Sequence, residues 1–287
     1  MERPDYNSPT ALKALLDSTG MSMQKKFGQN FLINATARKK LIDQLGISEG
    51  VSVWEVGPGL GSMTEELLIR GGNVTVFEID RGFIRMLKEF FNSYLEKKKL
   101  RIIEGDVLKT WKSVLTEYGK PQFFFGNLPY NIAAILIADT IEQDVRFDKV
   151  IVTVQKEVAQ RMAALPDTND YSSFSILCQW AYDIYPFMDL SAGNFWPRPN
   201  VDSRAVVMKR KSDFPCCKNK SLFMKMQRAL FISRRKNIKN NLTMFLSDAD
   251  RAVSALEKAN INHSVRAESL TVKKLLELSD ILNADIL

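Results

Sequence analysis

The sequence is poor in the residues that build metal centres and disulfides. Its 287 residues include one histidine, His263, and three cysteines, Cys178, Cys216 and Cys217, which lack the paired spacing of zinc ligands. We therefore expect no bound metal and three reduced thiols. No apolar run approaches the roughly 20 residues that cross a bilayer, and the N-terminal residues lack the basic-then-apolar pattern of a secretion signal. These absences predict a cytoplasmic protein with no membrane segment.

Charge is plentiful but unevenly placed. The chain is 45% hydrophobic and 25% charged, which is ordinary for a folded protein, and its net charge is +7. Residues 209–239 contain eleven lysines and arginines and one acid, Asp213. This stretch therefore carries more positive charge than the whole chain, and the remainder is slightly acidic. Such a concentration indicates a polyanionic partner that binds near the start of a second domain.

Signals for strands and helices alternate over the first half of the chain. Apolar strands are predicted at residues 51–56, 74–77, 101–103, 123–125 and 150–154, with helical segments between several of them. This alternation predicts an α/β fold with a parallel sheet and helices on both faces. A further strand is expected at 204–209, and short helices follow. We expect a leader at 1–26 with a short helix at 11–16, a main domain at 27–212 and a helical domain at 213–287.

A glycine-rich turn follows the first of these strands. Gly57, Gly59 and Gly61 form G-x-G-x-G, whereas a dinucleotide site has G-x-G-x-x-G. Glycines let the backbone approach a ligand closely. Glu55 directly precedes this turn, and a carboxylate there suits an amino acid or a cation better than a diphosphate. The pattern favours S-adenosylmethionine, which carries a sulfonium cation and no phosphate; a nicotinamide dinucleotide is the alternative.

Acidic residues end the next two strands. Glu78 lies at the end of the second strand, where a carboxylate can accept the two ribose hydroxyls of an adenosine cofactor. Asp106 follows the third strand and is placed to reach the adenine amino group. Because ligands bind at the carboxyl ends of the strands in such sheets, Gly57, Glu78, Asp106 and Asn127 are predicted to share one crevice.

The tetrapeptide Asn127-Leu128-Pro129-Tyr130 follows the fourth strand. An aromatic amine is a poor nucleophile because its lone pair is delocalised into the ring. The Asn127 side-chain oxygen and the Leu128 carbonyl can accept its two N–H groups, and Pro129 restricts the residue before it to extended backbone. Tyr130 offers a stacking face for a base. The pattern predicts methyl transfer to an amino group of a nucleobase; the alternative is a turn in which the asparagine caps a helix.

A base inside a helix must be flipped out to reach such a pocket. Phe195 is the candidate for stacking on the second face of that base, with Trp196 as the alternative. Ordinary packing beside the neighbouring prolines would also explain this pair.

Motifs along nearly the whole chain resemble those of the bacterial small-subunit ribosomal RNA adenine dimethyltransferases. The matching stretches are residues 27–32, 55–61, 78–80, 105–108, 126–131, 155–159, 195–199, 201–203, 234–236 and 266–270. The resemblance implies that Asn30 and Leu32 border the methionine end of the cofactor and that Asn127 also contacts it. It implies a monomer that dimethylates N6 of two adjacent adenosines in a hairpin loop near the 3′ end of 16S rRNA, within an immature 30S subunit.

A basic helix is predicted over residues 222–241 as the surface that docks RNA, with Arg234, Arg235 and Lys236 as phosphate contacts. A solvated basic surface is the alternative. Other functions remain open at this point: a 23S rRNA methyltransferase of the macrolide-resistance type, a mainly non-catalytic ribosome assembly factor, and a small-molecule N-methyltransferase.

Overall fold

The computed structural model describes residues 2–21, 23, 29–128, 130–212, 214 and 216–284. Within them the helices and strands follow in this order: α1 Pro9–Ser18, β1 Phe31–Leu32, α2 Ala35–Leu45, β2 Ser52–Val56, α3 Ser62–Ile69, β3 Asn73–Glu78, α4 Arg81–Phe90, α5 Asn92–Glu96, β4 Leu100–Glu104, α6 Val107–Tyr118, β5 Phe123–Asn127, α7 Tyr130–Glu142, β6 Lys149–Gln155, α8 Lys156–Ala163, α9 Ser173–Ala181, β7 Tyr182–Leu190, β8 Phe195–Trp196, β9 Ser203–Arg210, α10 Lys220–Ile232, α11 Ile238–Leu246, α12 Ala249–Lys258 and α13 Val272–Ala284. Short 3-10 turns occur at Ala192–Asn194 and Ala267–Ser269.

In the described part of the chain, seven strands form one sheet in the order β4-β3-β2-β5-β6-β9-β7. The pairs from β4 across to β6 are all parallel, as predicted. β9 then pairs antiparallel with β6, so the sheet is mixed and not purely parallel. The sequence indicated the strand at β9 but not its direction, because an apolar run has no polarity of its own. It gave no signal for β7, whose side chains are mostly exposed.

The central strands are apolar on both faces because helices cover both faces of such a sheet. Val76 in β3 and Ile151 and Val152 in β6 are fully buried. The helical segment between β3 and β4 is divided into α4 and α5 at Phe91, which has φ −119° and ψ 22°. The Phe91 side chain is fully buried, so the break between α4 and α5 occurs where this ring packs into the core.

The chain divides into two units. Unit 1 contains residues up to 137, 145–159 and 185–210; unit 2 contains 138–144, 160–184 and 211–287. Unit 1 holds β1 to β6, β8 and β9, and its core includes residues of α1. Unit 2 is built around α9 to α13, with Trp180 of α9 and Phe223 of α10 in edge contact at 5.0 Å between ring centroids. The predicted boundary after residue 212 falls close to the last crossing between the units, whereas the two earlier segments of unit 2 were not expected.

Candidate active site

The carboxyl ends of four strands open onto one cavity of about 310 Å³ in unit 1. Gly57 follows β2, Glu78 ends β3, Asp106 follows β4 and Asn127 ends β5. The convergence predicted from the strand order is therefore confirmed. The other residues lining the cavity are Gln29, Asn30, Phe31, Leu32, Glu55, Val56, Pro58, Gly59, Ser62, Met63, Phe77, Ile79, Phe83, Gly105, Val107 and Ile132.

The glycine loop, residues 57–61, has backbone conformations that side chains oppose. Gly59 has φ +57° and Gly61 has φ +88°, both in the left-handed region that favours glycine. A Cβ on Gly59 would lie 2.8 Å from Cε1 of Phe31, and one on Gly61 would lie 2.5 Å from Cε2 of Phe91. The glycines are therefore required by the backbone conformation and by the close packing around the loop.

Glu78 connects this loop to the neighbouring strand. Its Oε1 accepts hydrogen bonds from the backbone N–H groups of Ile79 and Asp80, each at 2.9 Å, and its Oε2 accepts from Gly59 N–H at 3.1 Å. Burial raises the pKa of Glu78 to about 7. The three hydrogen bonds lower the pKa, but their effect is smaller than that of burial. A carboxylate has about four acceptor positions, so three are used to orient the group and one remains for a ligand hydroxyl.

Glu55 is a second buried carboxylate at the cavity. It is 2% exposed, and its Oε2 accepts a hydrogen bond from Oγ1 of the fully buried Thr64 at 2.6 Å. Burial raises the pKa of Glu55 to about 8, with a smaller contribution from the nearby Glu78 charge. A cation in the cavity would favour ionisation of both carboxyl groups.

Asp106 caps the helix that follows β4. Its Oδ1 accepts a hydrogen bond from the N–H of Leu108 at 3.0 Å, at the start of α6. The neighbouring Gly105 N–H donates to the carbonyl of Glu78 at 2.8 Å. This links the two acidic positions of adjacent strands and fixes their spacing at the cavity.

The side-chain amide of Asn127 has a defined orientation. Its Nδ2 donates to the backbone carbonyl of Asn30 at 3.0 Å. Because a carbonyl accepts only from a donor, this contact assigns the nitrogen to Asn30 and leaves Oδ1 as an acceptor. Both residues line the cavity. An acceptor for an amine is therefore positioned at the place where the strand ends converge.

The rest of the tetrapeptide is described in part. The N–H of Leu128 donates to the carbonyl of Thr153 at 3.3 Å, and the Leu128 side chain is 2% exposed. This anchors the backbone after β5 to β6. Pro129 and the side chain of Tyr130 lie outside the described residues, so their predicted roles stay predictions.

Asn30, which directly precedes β1, and Leu32 in β1 both line the cavity; their position at the methionine end of the cofactor stays a prediction. β1 pairs antiparallel with β8, with Leu32 opposite Phe195 and Phe31 opposite Trp196. Phe195 is 3% exposed, belongs to the hydrophobic core and is not among the residues that line the cavity. The Phe195 ring therefore packs in the core of the ligand-free protein, and its predicted stacking on a base stays a prediction.

Sequence reasoning missed the apolar part of the lining, which includes Phe31, Phe77, Ile79, Phe83 and Val107. Phe31 contacts Phe83 edge to face at 5.6 Å between ring centroids and stacks on Trp196 at 6.2 Å. Such side chains suit a planar adenine ring. Their position in the sequence could have predicted them, because several of them adjoin the acidic residues at the strand ends.

The basic segment is a turn and not a helix. Arg234, Arg235 and Lys236 lie between α10 and α11, so the helix predicted across 222–241 is wrong at its centre. Asn237 caps α11 by accepting from the N–H of Asn240 at 2.9 Å, which separates the two helices.

The three basic residues of this turn have different surroundings. Arg234 Nη2 and Nε contact Glu268 Oε2 at 2.8 and 3.1 Å, and its Nη1 donates to the carbonyl of Asn169 at 2.7 Å. Arg235 and Lys236 are exposed, with Lys236 Nζ 3.1 Å from Sδ of Met244. Arg234 thus joins two segments of unit 2 although its side chain is also exposed, whereas no such ion pair is seen for Arg235 and Lys236 among the described residues.

The lining of the cavity fits S-adenosylmethionine. Among the described residues that line it are three acids, Glu55, Glu78 and Asp106, and no lysine or arginine. This charge distribution suits a cationic ligand and opposes a diphosphate, so a dinucleotide is disfavoured. Within the same described residues no cluster of potential metal ligands occurs, and no helix has the length and apolar character needed to span a bilayer. A Rossmann-like sheet with such a site defines an S-adenosylmethionine-dependent methyltransferase.

Comparison with known proteins identifies the family. The family model described as "Ribosomal RNA adenine dimethylase" matches residues 20–284. "Ribosomal RNA small subunit methyltransferase A" of Treponema denticola is 50% identical over 97% of this chain and 96% of its own length. The protein of the same name from Treponema pallidum is 41% identical over 98% of each chain. The chain therefore belongs to the ribosomal RNA adenine dimethylase family and is an rRNA adenine dimethyltransferase that uses S-adenosylmethionine.

Solved structures support the fold. A dimethyladenosine transferase from Plasmodium falciparum matches with a TM-score of 0.71 and 24% identity, covering 85% of this chain and 94% of that one. The 23S rRNA methyltransferase ErmE matches with a TM-score of 0.63 and 21% identity, covering 88% and 99%. At these identities the likeness concerns architecture, and it confirms the predicted Rossmann-like sheet with an additional helical region.

Proposed function

We propose that this enzyme dimethylates N6 of two adjacent adenosines in the 3′-terminal hairpin loop of 16S rRNA, within an immature 30S subunit, as part of subunit biogenesis. The names of the sequence relatives support a small-subunit target. The observation that carries the chemistry is the fixed amide of Asn127, whose nitrogen is bound by Asn30 and whose oxygen remains available at the cavity. We also propose that the protein works as a monomer in the cytoplasm, the compartment in which immature ribosomal subunits are found.

The chain's own residues account for cofactor binding as follows. Gly57 and Gly59 let the backbone approach the ligand, Glu78 accepts a ribose hydroxyl at its remaining acceptor position, and Asp106 accepts from the adenine amino group. Asn30, Leu32 and Asn127 border the methionine end, with Glu55 as a nearby counter-charge. When bound, S-adenosylmethionine supplies an electrophilic methyl group.

Residues 127–130 prepare the acceptor. Oδ1 of Asn127 and the carbonyl of Leu128 accept the two N–H groups of the adenine amine, which favours a pyramidal nitrogen with its lone pair directed at the methyl group. Pro129 aims the Leu128 carbonyl, and Tyr130 stacks on the flipped base. Holding the reacting atoms about 3–3.5 Å apart supplies much of the rate. After transfer the nitrogen is cationic, and its proton leaves to water, so no histidine is required.

Phe195 is the proposed stacking partner on the second face of the base. Because its ring is 3% exposed, this role requires the ring to become accessible when RNA binds. Trp196 is half-buried in the same strand and is the alternative. Substituting each by alanine and measuring KM for RNA separates the two.

RNA docking is assigned to the basic turn, with Arg235 and Lys236 as the phosphate contacts and Arg234 as the residue that holds the turn. Contacts of this kind position RNA without reading its sequence. A small-molecule substrate would make these charges dispensable. Deleting residues from 213 onward would test this poorly, because unit 2 also contains residues 138–144 and 160–184. Alanine substitutions at 235 and 236 are the sharper test.

The direct experiment is incubation with labelled methyl donor and a mixture of small and large subunits from a strain that lacks this methylation, followed by separation of the rRNAs and nucleoside mass analysis. We expect N6,N6-dimethyladenosine at two adjacent positions of 16S rRNA. Label on 23S rRNA, on protein or only on free metabolites would refute the proposal. A mainly non-catalytic assembly factor predicts that Asn127→Ala leaves subunit maturation unchanged in cells, whereas a catalytic role in maturation predicts that it slows.

A further inference from the structure

The N-terminal segment, residues 3–18, is part of the core of unit 1 and not a separate leader. Tyr6 is 8% exposed, and Leu12 and Leu16 of α1 are 1% and 4% exposed. All three belong to the same hydrophobic core as Leu32 and Leu60. The question is what this segment contributes besides buried apolar surface.

Tyr6 reaches the glycine loop. Its hydroxyl donates to the backbone carbonyl of Leu60 at 2.9 Å in a buried contact. Leu60 directly follows Gly59, which lines the cavity. Burial raises the pKa of Tyr6 well above its usual value, so the phenol stays protonated and remains a donor. Arg3 adds an ion pair with Glu65 at 3.0 Å, in the first turn of α3.

Asn7, the next residue, reaches a second part of the cavity through Arg38. Oδ1 of Asn7 accepts from Nη2 of Arg38 at 2.6 Å, and Nη1 of Arg38 donates to the carbonyl of Leu32 at 2.7 Å. Leu32 lines the cavity from β1. Arg38 is 6% exposed, and a buried guanidinium requires such partners. Adjacent residues therefore connect the glycine loop to β1.

We propose that the N-terminal segment positions the cofactor site, with Tyr6 and Asn7 as positioning residues that fix the distance between the glycine loop and β1. Neither residue lines the cavity or touches the ligand; each acts through the backbone of Leu60 or Leu32. This inference rests on the proposed role of the cavity as the cofactor site. A segment that served only the stability of the fold would leave cofactor affinity unchanged when these hydrogen bonds are removed.

The test compares Tyr6→Phe with Ser8→Ala. Ser8 caps α1 by accepting from the N–H of Ala11 at 3.2 Å, a contact made within the segment itself. Losing the Tyr6 hydrogen bond is expected to weaken cofactor binding about two- to tenfold, measured by calorimetry and as KM for the cofactor, with KM for RNA unchanged. Ser8→Ala should lower Tm without changing cofactor affinity. Equal losses of Tm with unchanged cofactor affinity in both variants would overturn the proposal.

Asn7 provides an independent variant, because its side chain is exposed and its replacement leaves the core intact. Asn7→Ala is expected to weaken cofactor binding, and Asn7→Gln, which keeps both an acceptor for Arg38 and a donor for Asp5, is expected to restore part of it. No loss in Asn7→Ala would count against the proposal. Glu78→Ala tests separately whether the cavity is the cofactor site. If this variant leaves cofactor affinity unchanged, the cavity is not that site. If Glu78→Ala reduces affinity but the Tyr6 and Asn7 variants do not, only the positioning role is wrong.

Discussion

The cofactor cavity of unit 1 and the basic turn of unit 2 present functional side chains in different ways. In the cavity, Glu55, Glu78 and Asn127 are held by hydrogen bonds to their neighbours, and both carboxyl groups are buried. In the turn, Arg235 and Lys236 are exposed. The cavity is preorganised for one ligand of fixed shape, which a chemical step requires. The turn suits a flexible polyanion, for which charge matters more than geometry. Substitutions should therefore have steep, geometry-dependent effects in the first region and shallow, salt-dependent effects in the second.

The largest effect is expected from Asn127→Ala, which removes the acceptor for the adenine amine. We expect kcat to fall by roughly 10²–10³, because the lost hydrogen bond is strongest in the transition state, with RNA affinity unchanged. Asn73→Ala is the matched control, since its Nδ2 also donates to a backbone carbonyl, that of Gly50 at 3.0 Å, at the amino end of β3. Single-turnover methylation measures both. A loss below tenfold for Asn127→Ala would contradict the preorganised acceptor.

Gly59→Ala tests the shape of the glycine loop. The left-handed φ and the 2.8 Å approach to Phe31 oppose a Cβ there. If cofactor binding requires the loop to keep this shape, the variant must pay about 1–3 kcal/mol of strain on binding. Cofactor binding would then weaken roughly five- to 150-fold. Gly50→Ala shares a positive φ of +80° but meets no atom within 4 Å, so it should lower Tm and leave cofactor affinity unchanged. Equal affinities of the two variants in calorimetry would show that the loop tolerates the clash.

The pH dependence of cofactor binding reports on Glu78. Its pKa of about 7 means that the carboxyl group is mostly neutral at pH 6 and mostly ionised at pH 8. The ionised form is the better acceptor and attracts the cationic ligand, so Kd should fall about tenfold from pH 6 to pH 8. Because the folded pKa is raised, the stability of the ligand-free protein should change in the opposite sense and decrease as pH rises through 7. In Glu78→Gln the pH dependence of Kd and the pH dependence of stability should both become weaker, and the remainder is due to Glu55. An unchanged slope would assign the titration elsewhere.

The smallest effects are expected at the basic turn, where neighbouring residues should behave differently. Arg235→Ala or Lys236→Ala should lower the slope of log RNA affinity against log salt by about 1 and leave Tm unchanged. Arg234→Ala removes the contacts with Glu268 and Asn169, so it should cost about 1 kcal/mol and lower Tm by about 2–4 °C. Salt titrations and thermal unfolding of the three variants test this division. If Arg234→Ala and Arg235→Ala changed the salt slope and Tm equally, the proposed difference between a structural Arg234 and an RNA-binding Arg235 would be wrong.

Much of the site could be predicted because its residues are local to strand ends. Alternating strands and helices place Gly57, Glu78, Asp106 and Asn127 at one edge of a parallel sheet whatever the details of packing. The structure confirms that arrangement. The orientation of the Asn127 amide could not be predicted, because it depends on Asn30, which lies 97 residues earlier in the chain.

The features missed by the sequence analysis depend on contacts between distant segments. Burial of Phe195 results from pairing of the two-residue strands β1 and β8, which are too short to show a periodic pattern. The N-terminal segment joins the core through Tyr6 and Leu60, 54 residues apart. The break between α10 and α11 was hidden because basic residues are compatible with both a helix and a turn.

The central claim is that the cavity at the sheet edge holds the methyl donor with Oδ1 of Asn127 directed at the acceptor nitrogen. A crystal structure with bound S-adenosylmethionine measures this directly. With about 3–3.5 Å between nitrogen and methyl carbon and about 2.9 Å from nitrogen to oxygen, Oδ1 should lie about 5 Å from the methyl carbon. A cofactor bound outside the cavity, or a methyl group on the side of the cofactor away from Asn127, would contradict the account.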